Sequence, residues 1–353
     1  MHRRSFTASC LFAASGLLNP WWARADENKV EAQKPSTGNL NAVTPTLGGK
    51  QFWADELFFH GWHIQRNVFT NHFRLLDGSH LRHAWGTFDE CRNKLDEIKK
   101  RRGLPPMQSP AVIVLHGLFR SASSMNRICR YLREAGGYTV FNVNYPTTRG
   151  SVADHARSLA RIIENLDGIG ELNFVGHSLG NLVVRHYLAD HTREKLGLRP
   201  DVPIKRIVML GPPNQGAQIA EALGAVGLFH VVAGASGSQL AREWEVLEEN
   251  LATPACEFGI LAGGRGGRGY NPLLKGDNDL VISVETARLA GAADFAVLPV
   301  IHTLMMDDRT VQEYTLRFLK HGYFVSAQAC QPIEPEGKDA LTRQTGDPRR
   351  AKP

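Results

Sequence analysis

Residues Gly176-His177-Ser178-Leu179-Gly180 follow a short apolar run and match G-x-S-x-G. That spacing suits a serine on a tight strand-to-helix turn, where only glycine fits two residues to either side and the hydroxyl is lifted clear of its surroundings. The flanks agree. Glu171–Val175 reads as a strand, and Leu179, Leu182, Val183 and Tyr187 recur at helical spacing. A serine hydroxyl is a weak nucleophile until a base takes its proton, and the base must be oriented by a carboxylate.

Serine elbows of this kind find their partners later in the chain, acid first and then histidine. Of fourteen histidines, His302 is the best placed, after the apolar run Phe295–Val300 and before a helical pattern. Gly276-Asp277-Asn278-Asp279-Leu280-Val281 supplies the acid. Asp279 is preferred because the apolar run after it can fix it; Asp277 is the alternative acid and Glu285 a distant third. A carboxylate left over here would cap an Asx-turn. The oxyanion of an acyl-transfer intermediate needs two N–H donors. The Leu179 amide, directly after the serine, is one. The loop His116-Gly117-Leu118-Phe119 supplies the other, assigned to Leu118 with Phe119 as the alternative.

These residues need a scaffold, and from residue 111 the pattern alternates regularly. Strands are predicted at 111–115, 139–143, 171–175, 206–210, 256–261 and 295–300. Between them lie helical faces: Met125, Ile128, Cys129 and Leu132; Val152, Ala156, Leu159, Ile163 and Leu166; and finally Val311, Tyr314 and Phe318. Strand-helix alternation of this length implies an α/β fold, a mostly parallel sheet with helices on both faces. Ligands of such sheets bind beyond the carboxyl ends of the strands, where Ser178 would stand.

Together, His116-Gly117-Leu118, the Ser178 pentapeptide, 276–281, His302 and Leu210-Gly211-Pro212-Pro213-Asn214-Gln215-Gly216 resemble the lipase and esterase branch of the α/β-hydrolase superfamily, over roughly residues 111–321. The pattern resembles bacterial triacylglycerol lipases and GPI-inositol-deacylase-like serine esterases more than the peptidase branches. The resemblance implies the α/β-hydrolase fold with a short cap insertion, a triad of Ser178, Asp279 and His302, no cofactor and no metal, and a small-molecule or lipid ester as substrate. An acyltransferase or amidase would use the same parts. A hydrolase-fold binding protein without turnover would lack a triad member, and none is missing. The apolar stretch 222–232 falls where lipases insert a lid, and is expected to line an acyl pocket.

The rest of the chain divides by composition. Residues 1–25 read as an export signal: Arg3-Arg4 resembles a twin-arginine start, Leu11–Leu18 a short apolar core, and Ala23-Arg24-Ala25 a cleavage site. An uncleaved membrane-anchoring N-terminus is the alternative. Residues 26–50 form a linker, 51–110 an N-terminal extension, 111–325 the catalytic domain and 326–353 a disordered tail. The extension holds a β-hairpin through 57–76, a turn at Asp77-Gly78, and a helix opened by the capping box Thr87-Phe88-Asp89-Glu90 and ending near Gly103. Cys91, Cys129, Cys256 and Cys330 would permit disulfides or buried thiols alike.

A net charge of +6, nowhere concentrated, argues against nucleic-acid binding and leaves peripheral contact with an anionic membrane open. Gly264–Gly269 fits G-x-G-x-x-G, but Pro272 blocks the helix a phosphate would need. His60/His63 and His80/His83 are three apart within strands, so neither pair converges on a metal. The Asp277–Asp279 cluster lacks the glycine and glutamate of an EF-hand.

Overall fold

The computed structural model describes residues 44–45, 51–192, 202–216, 236 and 243–335. Two sheets organise them. The larger has six parallel strands: β6 (Ala111–Leu115), β7 (Thr139–Val143), β8 (Leu172–His177), β9 (Ile204–Leu210), β10 (Glu257–Gly263) and β11 (Asp294–Leu298), in the order β11-β10-β9-β8-β6-β7. The order is set by handed crossovers. Right-handed strand-helix-strand units wind outward in both directions from β6 and β8, so the elbow after β8 lies at the middle of the sheet.

The two-residue period of each strand divides its side chains between two cores. Ile113, Leu115, Phe174, Ile207, Met209, Phe258 and Ile260 face one, together with helices α3 (Val152–Glu164) and α4 (Leu179–Thr192). Val112, Val114, Val175, Val208, Leu210 and Leu261 face the other, with α2 (Asn126–Glu134) and α6 (Arg309–His321). Burial on both faces explains why these strands read as continuous apolar runs. A short helix, α5 (Trp244–Glu248), precedes β10.

The smaller sheet is antiparallel: β1 (Thr44–Pro45), β2 (Trp53–Phe59), β3 (Trp62–Asn67), β4 (Phe73–Leu76) and β5 (Leu81–Gly86), in the order β1-β5-β4-β3-β2. The hairpin expected over 57–76 is therefore part of a longer meander. Its turns fall at His60-Gly61, at 68–72 and at 77–80, where Asp77 Oδ1 accepts from the Ser79 and Leu81 amides. Helix α1 (Phe88–Arg102) covers one face with Cys91, Leu95 and Ile98. Its capping box forms as read from the sequence: Thr87 Oγ1 accepts from the Glu90 amide at 3.2 Å and Glu90 Oε2 from the Thr87 amide at 2.7 Å. Gly103 ends it in the left-handed conformation, φ 59°.

The sheets are tied together by two consecutive buried carboxylates. A β-bulge between Asp55 and Leu57 leaves Glu56 without a partner on β3. Successive strand residues normally point to opposite faces, and the inserted residue bends the strand so that both acids find protein partners. Asp55 turns to the end of β7, accepting from the Asn144 amide at 2.7 Å and donating its own amide to the Asn144 carbonyl at 2.9 Å. Glu56 turns to α3, accepting from Arg161 Nη1 and from Arg66 Nε, both at 2.6 Å, and from Ser158 Oγ.

Residues 1–25 and the 222–232 stretch lie outside the described residues; of the expected cap, Ser236 is described and lies buried against α3. At the C-terminal end, residues Ala327–Ala329 form a 3₁₀ turn and Ile333 packs on the core, while 336–353 lie outside the described residues. No disulfide joins Cys91, Cys129, Cys256 or Cys330.

Glu56 carries the junction, fully buried between Arg66 and Arg161. Glu56→Gln keeps its shape but removes the charge from three hydrogen bonds. Both arginines reach solvent, which limits the loss to about 2 kcal/mol, measured as a lowered midpoint in urea unfolding.

Candidate active site

The elbow is closed by the backbone. Ser178 sits at φ 52°, a left-handed conformation unfavourable for a residue with a side chain. Its amide donates to the Leu210 carbonyl at 3.0 Å, and its carbonyl accepts from the Asn181 amide at 3.0 Å and from Asn181 Nδ2 at 3.1 Å. The flanking glycines are required by space. A Cβ at Gly176 would lie 2.3 Å from Asn181 Oδ1, and one at Gly180 would lie 2.7 Å from the Leu115 carbonyl oxygen. Ser178 itself is half-buried, at the first turn of α4.

The structure brings His302 and Asp279 together. His302 Nδ1 donates to Asp279 Oδ2 at 2.7 Å, and the His302 amide donates to the Asp279 carbonyl at 2.9 Å. Asp279 is 1% exposed, and its second oxygen accepts from the amides of Val281 and Ile282 at 3.0 and 2.7 Å. The apolar run after the acid does fix it, through its backbone. With Nδ1 donating to the carboxylate, Nε2 is the nitrogen left to accept a proton. The ring lies against Gly211, where a Cβ would be 3.0 Å from His302 Nδ1; Gly211 directly follows the residue that holds the Ser178 amide. No hydrogen bond joins Ser178 Oγ to His302 among the described residues. Such pairs are commonly loose without substrate and tighten in its presence.

Asp277 is engaged elsewhere. Its carboxylate accepts from the amides of Arg265, Gly266 and Asn278 at 2.8, 2.9 and 3.0 Å. It folds the Gly264–Gly269 loop around itself instead of forming the Asx-turn expected of a leftover acid; that turn is made by Asp279, onto the Val281 amide. Glu285 is exposed and pairs with Arg288. Of the two second-donor choices, the Phe119 amide is used by Thr147 Oγ1 at 3.1 Å. The amides of Leu118 and Leu179 have no acceptor among the described residues. Gly117 brings the Leu118 loop against the elbow: a Cβ there would lie 3.1 Å from Ser178 Cβ.

Two supporting residues had no signal in the sequence. Asn278, fully buried, accepts from the amides of Asn271 and Leu280 and donates to the carbonyls of Arg268, Asn271 and Gly276. It pins the loop that carries Asp279. His177, inside the pentapeptide, donates from Nε2 to the His302 carbonyl at 3.0 Å, with the rings 4.7 Å apart. Nothing in a variable motif position announces such a contact.

The family model described as the α/β hydrolase fold matches residues 110–228. The chain has the α/β-hydrolase fold. Among solved structures, the lin2722 product of Listeria innocua is 15% identical, covering 64% of this chain and 98% of that one, with a TM-score of 0.43. Phospholipase PlaB from Legionella pneumophila, in complex with thio-NAD, is 16% identical over 67% of this chain and 60% of that one, TM-score 0.44. The Pyrobaculum calidifontis esterase is 17% identical over 61% and 78%, TM-score 0.42. No protein of curated function matches the chain. Among the described residues no His, Cys, Asp or Glu cluster is arranged to hold a metal, and no helix is long and apolar enough to cross a membrane. His63 and His83 instead pair with Asp55 and Asp77.

Three other histidines surround the site in neutral form. Burial pushes His116 down to about 4 and His155 down to about 3, and holds His177 well below the usual imidazole range. All three charge freely only when the chain unfolds, so the unfolded state binds more protons as pH falls below about 6.5. Stability is therefore expected to be level above that pH and to decline from 6.5 toward 4, with up to three protons taken up on unfolding. Chemical denaturation across this range would measure the slope. A flat profile would place these rings in solvent.

Proposed function

We propose that the protein is a serine hydrolase that cleaves carboxylic esters through an acyl-enzyme. The observation that carries the reading is the buried Asp279–His302 couple beside a serine held at a left-handed elbow. Ser178 Oγ attacks the ester carbonyl as its proton passes to His302 Nε2. The carbonyl π-pair moves to oxygen, and the amides of Leu118 and Leu179 receive the oxyanion. Two such donors each contribute about 3–4 kcal/mol in comparable sites. The intermediate collapses, the C–O bond to the alcohol breaks, and the alkoxide leaves with the proton from Nε2. Water then repeats the sequence on the acyl-serine: His302 takes its proton, hydroxide adds, and Ser178 is released as the acid departs.

Asp279 keeps the imidazole in the tautomer with Nδ1 protonated and offsets the positive charge it gains. His177 and Asn278 hold these two in place through backbone contacts. The substrate class we infer is a small-molecule or lipid ester, and we further propose export of the chain with cleavage after Ala25. N-terminal sequencing of the secreted protein should then begin at Asp26; a retained Met1 or Ser5 would refute cleavage.

A fluorophosphonate probe should label Ser178 in the purified protein, and Ser178→Ala or His302→Ala should abolish the label. Asp279→Asn is expected to lower kcat by about 10,000-fold, while Asp277→Asn spares it. Absence of label in folded protein, with and without detergent, would overturn the assignment.

A further inference from the structure

A second cleft, of about 500 Å³, lies between the small sheet and the end of β7, and none of Ser178, Asp279, His302 or Leu118 lines it. Its floor is built by strand register. Asp55 is opposite Gln65, and Gln65 is opposite Arg74, so three polar side chains stand in one row across β2, β3 and β4. All three are more than nine-tenths buried. The row is hydrogen-bonded in one direction: Arg74 Nε and Nη2 donate to Gln65 Oε1 at 3.0 and 2.7 Å, and Gln65 Nε2 donates to Asp55 Oδ1 at 2.7 Å.

The row ends on an unanswered cation. Asp55 spends its oxygens on His63, Gln65 and the Asn144 amide. Arg74 therefore meets no carboxylate directly, only a neutral amide and the face of Trp53, 3.8 Å from its guanidinium carbon. A guanidinium has five N–H donors; two are used, and the remaining three have no acceptor among the described residues. Burial makes this costly, pushing Arg74 down to about 10. Asp55 acts on Arg74 only across Gln65, so the free edge of the guanidinium is left to meet an anion from the cleft directly.

The opposite wall offers an acceptor. Asn142 Nδ2 donates to the Ala122 carbonyl at 2.8 Å, which fixes the amide orientation because a carbonyl can only accept. Its Oδ1 is buried and without a partner. Arg133 lines the rim and adds a second positive charge. Two guanidinium groups thus face the cleft against one carboxylate that is already occupied.

We propose that this cleft is a binding site for a small hydroxy-carboxylate of sugar-acid size, separate from the catalytic centre. The ligand carboxylate would take the free edge of Arg74, a fork suited to bidentate recognition. A ligand hydroxyl would donate to Asn142 Oδ1. The volume lies within the range of small-molecule sites. The inference does not depend on the reaction assigned to Ser178.

Isothermal titration of the full chain with D-glucuronate, D-gluconate and D-glucose tests it. Saturable binding is expected for at least one acid, with glucose, which lacks the carboxylate, weaker by about tenfold or more. Asn142→Asp sets a negative charge against the ligand, and Arg74→Gln removes the fork; each should weaken binding by about tenfold or more. Circular dichroism checks folding. Should Arg74→Gln fail to fold, Asn142→Asp and the exposed Arg133→Gln decide. Absence of saturable binding for both acids, equal affinity in the folded variants, or loss of binding once fluorophosphonate occupies Ser178 would each overturn the proposal.

Discussion

The hydrogen bond from the Ser178 amide to the Leu210 carbonyl fixes the centre of this molecule. It holds the end of β8 against the end of β9 while the chain reverses into α4, and it does so only because Gly176 and Gly180 leave room for Asn181 and Leu115. Sheet order then decides what reaches the serine. β6, on one side of β8, ends in the loop that presents the Leu118 amide. β9, on the other, ends at Gly211, which gives the His302 ring its seat. β10 and β11 follow outward and release the segments bearing Asp279 and His302. One elbow at the middle of a parallel sheet thus collects residues from positions 118 to 302.

Backbone strain gathers at the same place. Among the described residues, six that are not glycine have left-handed φ values. His60, Asn71 and His80 lie in turns of the small sheet, where hairpin geometry requires such angles. The other three are Ser178, Phe119 in the loop after β6, and Leu280 directly after Asp279, at φ 52°, 59° and 89°. Each such residue costs about 1–3 kcal/mol and survives only where its surroundings leave no alternative. At Leu280 those surroundings are Asn278, whose Oδ1 takes the Leu280 amide, and Asp279, whose Oδ1 takes the next two amides. The strain and the hydrogen bonds that impose it aim the Asp279 carboxylate together.

Much of this was legible in the sequence because it rests on local pattern. Buried parallel strands are apolar throughout, helices show one face, and an elbow needs its glycines; those signals placed every strand of the large sheet to within a few residues and brought Ser178, Asp279 and His302 forward. The choice of Asp279 over Asp277 rested on the apolar run after it, and that run supplies the amides that hold the carboxylate. What the sequence hid depends on contacts between distant segments. His177 meets the His302 carbonyl across 125 positions, and Asp55 meets Asn144 across 89. The small sheet was under-read for a related reason: Asp55 and Glu56 look like solvent-facing charge in a strand, and their burial depends on a bulge whose partners lie on α3 and β7.

That bulge has a consequence for the edge of the large sheet. β7 is an outer strand, and an outer strand with open backbone groups invites pairing with another chain. Here the Asp55 backbone amide bonds the Asn144 carbonyl, and Asn144 Nδ2 bonds the Trp53 carbonyl, so β2 closes the end of that edge without extending the sheet. A strand added in full register would have filled the space beside β7 with apolar side chains. A strand that touches only at its start leaves a wedge between the two sheets. The residues lining that wedge come from the polar row Asp55, Gln65 and Arg74, because the same alternation that sends Ile64 and Leu75 into the core sends their neighbours Gln65 and Arg74 to the opposite face. The polar cleft therefore follows from how the edge is covered, and its unanswered guanidinium is the part that coverage does not explain.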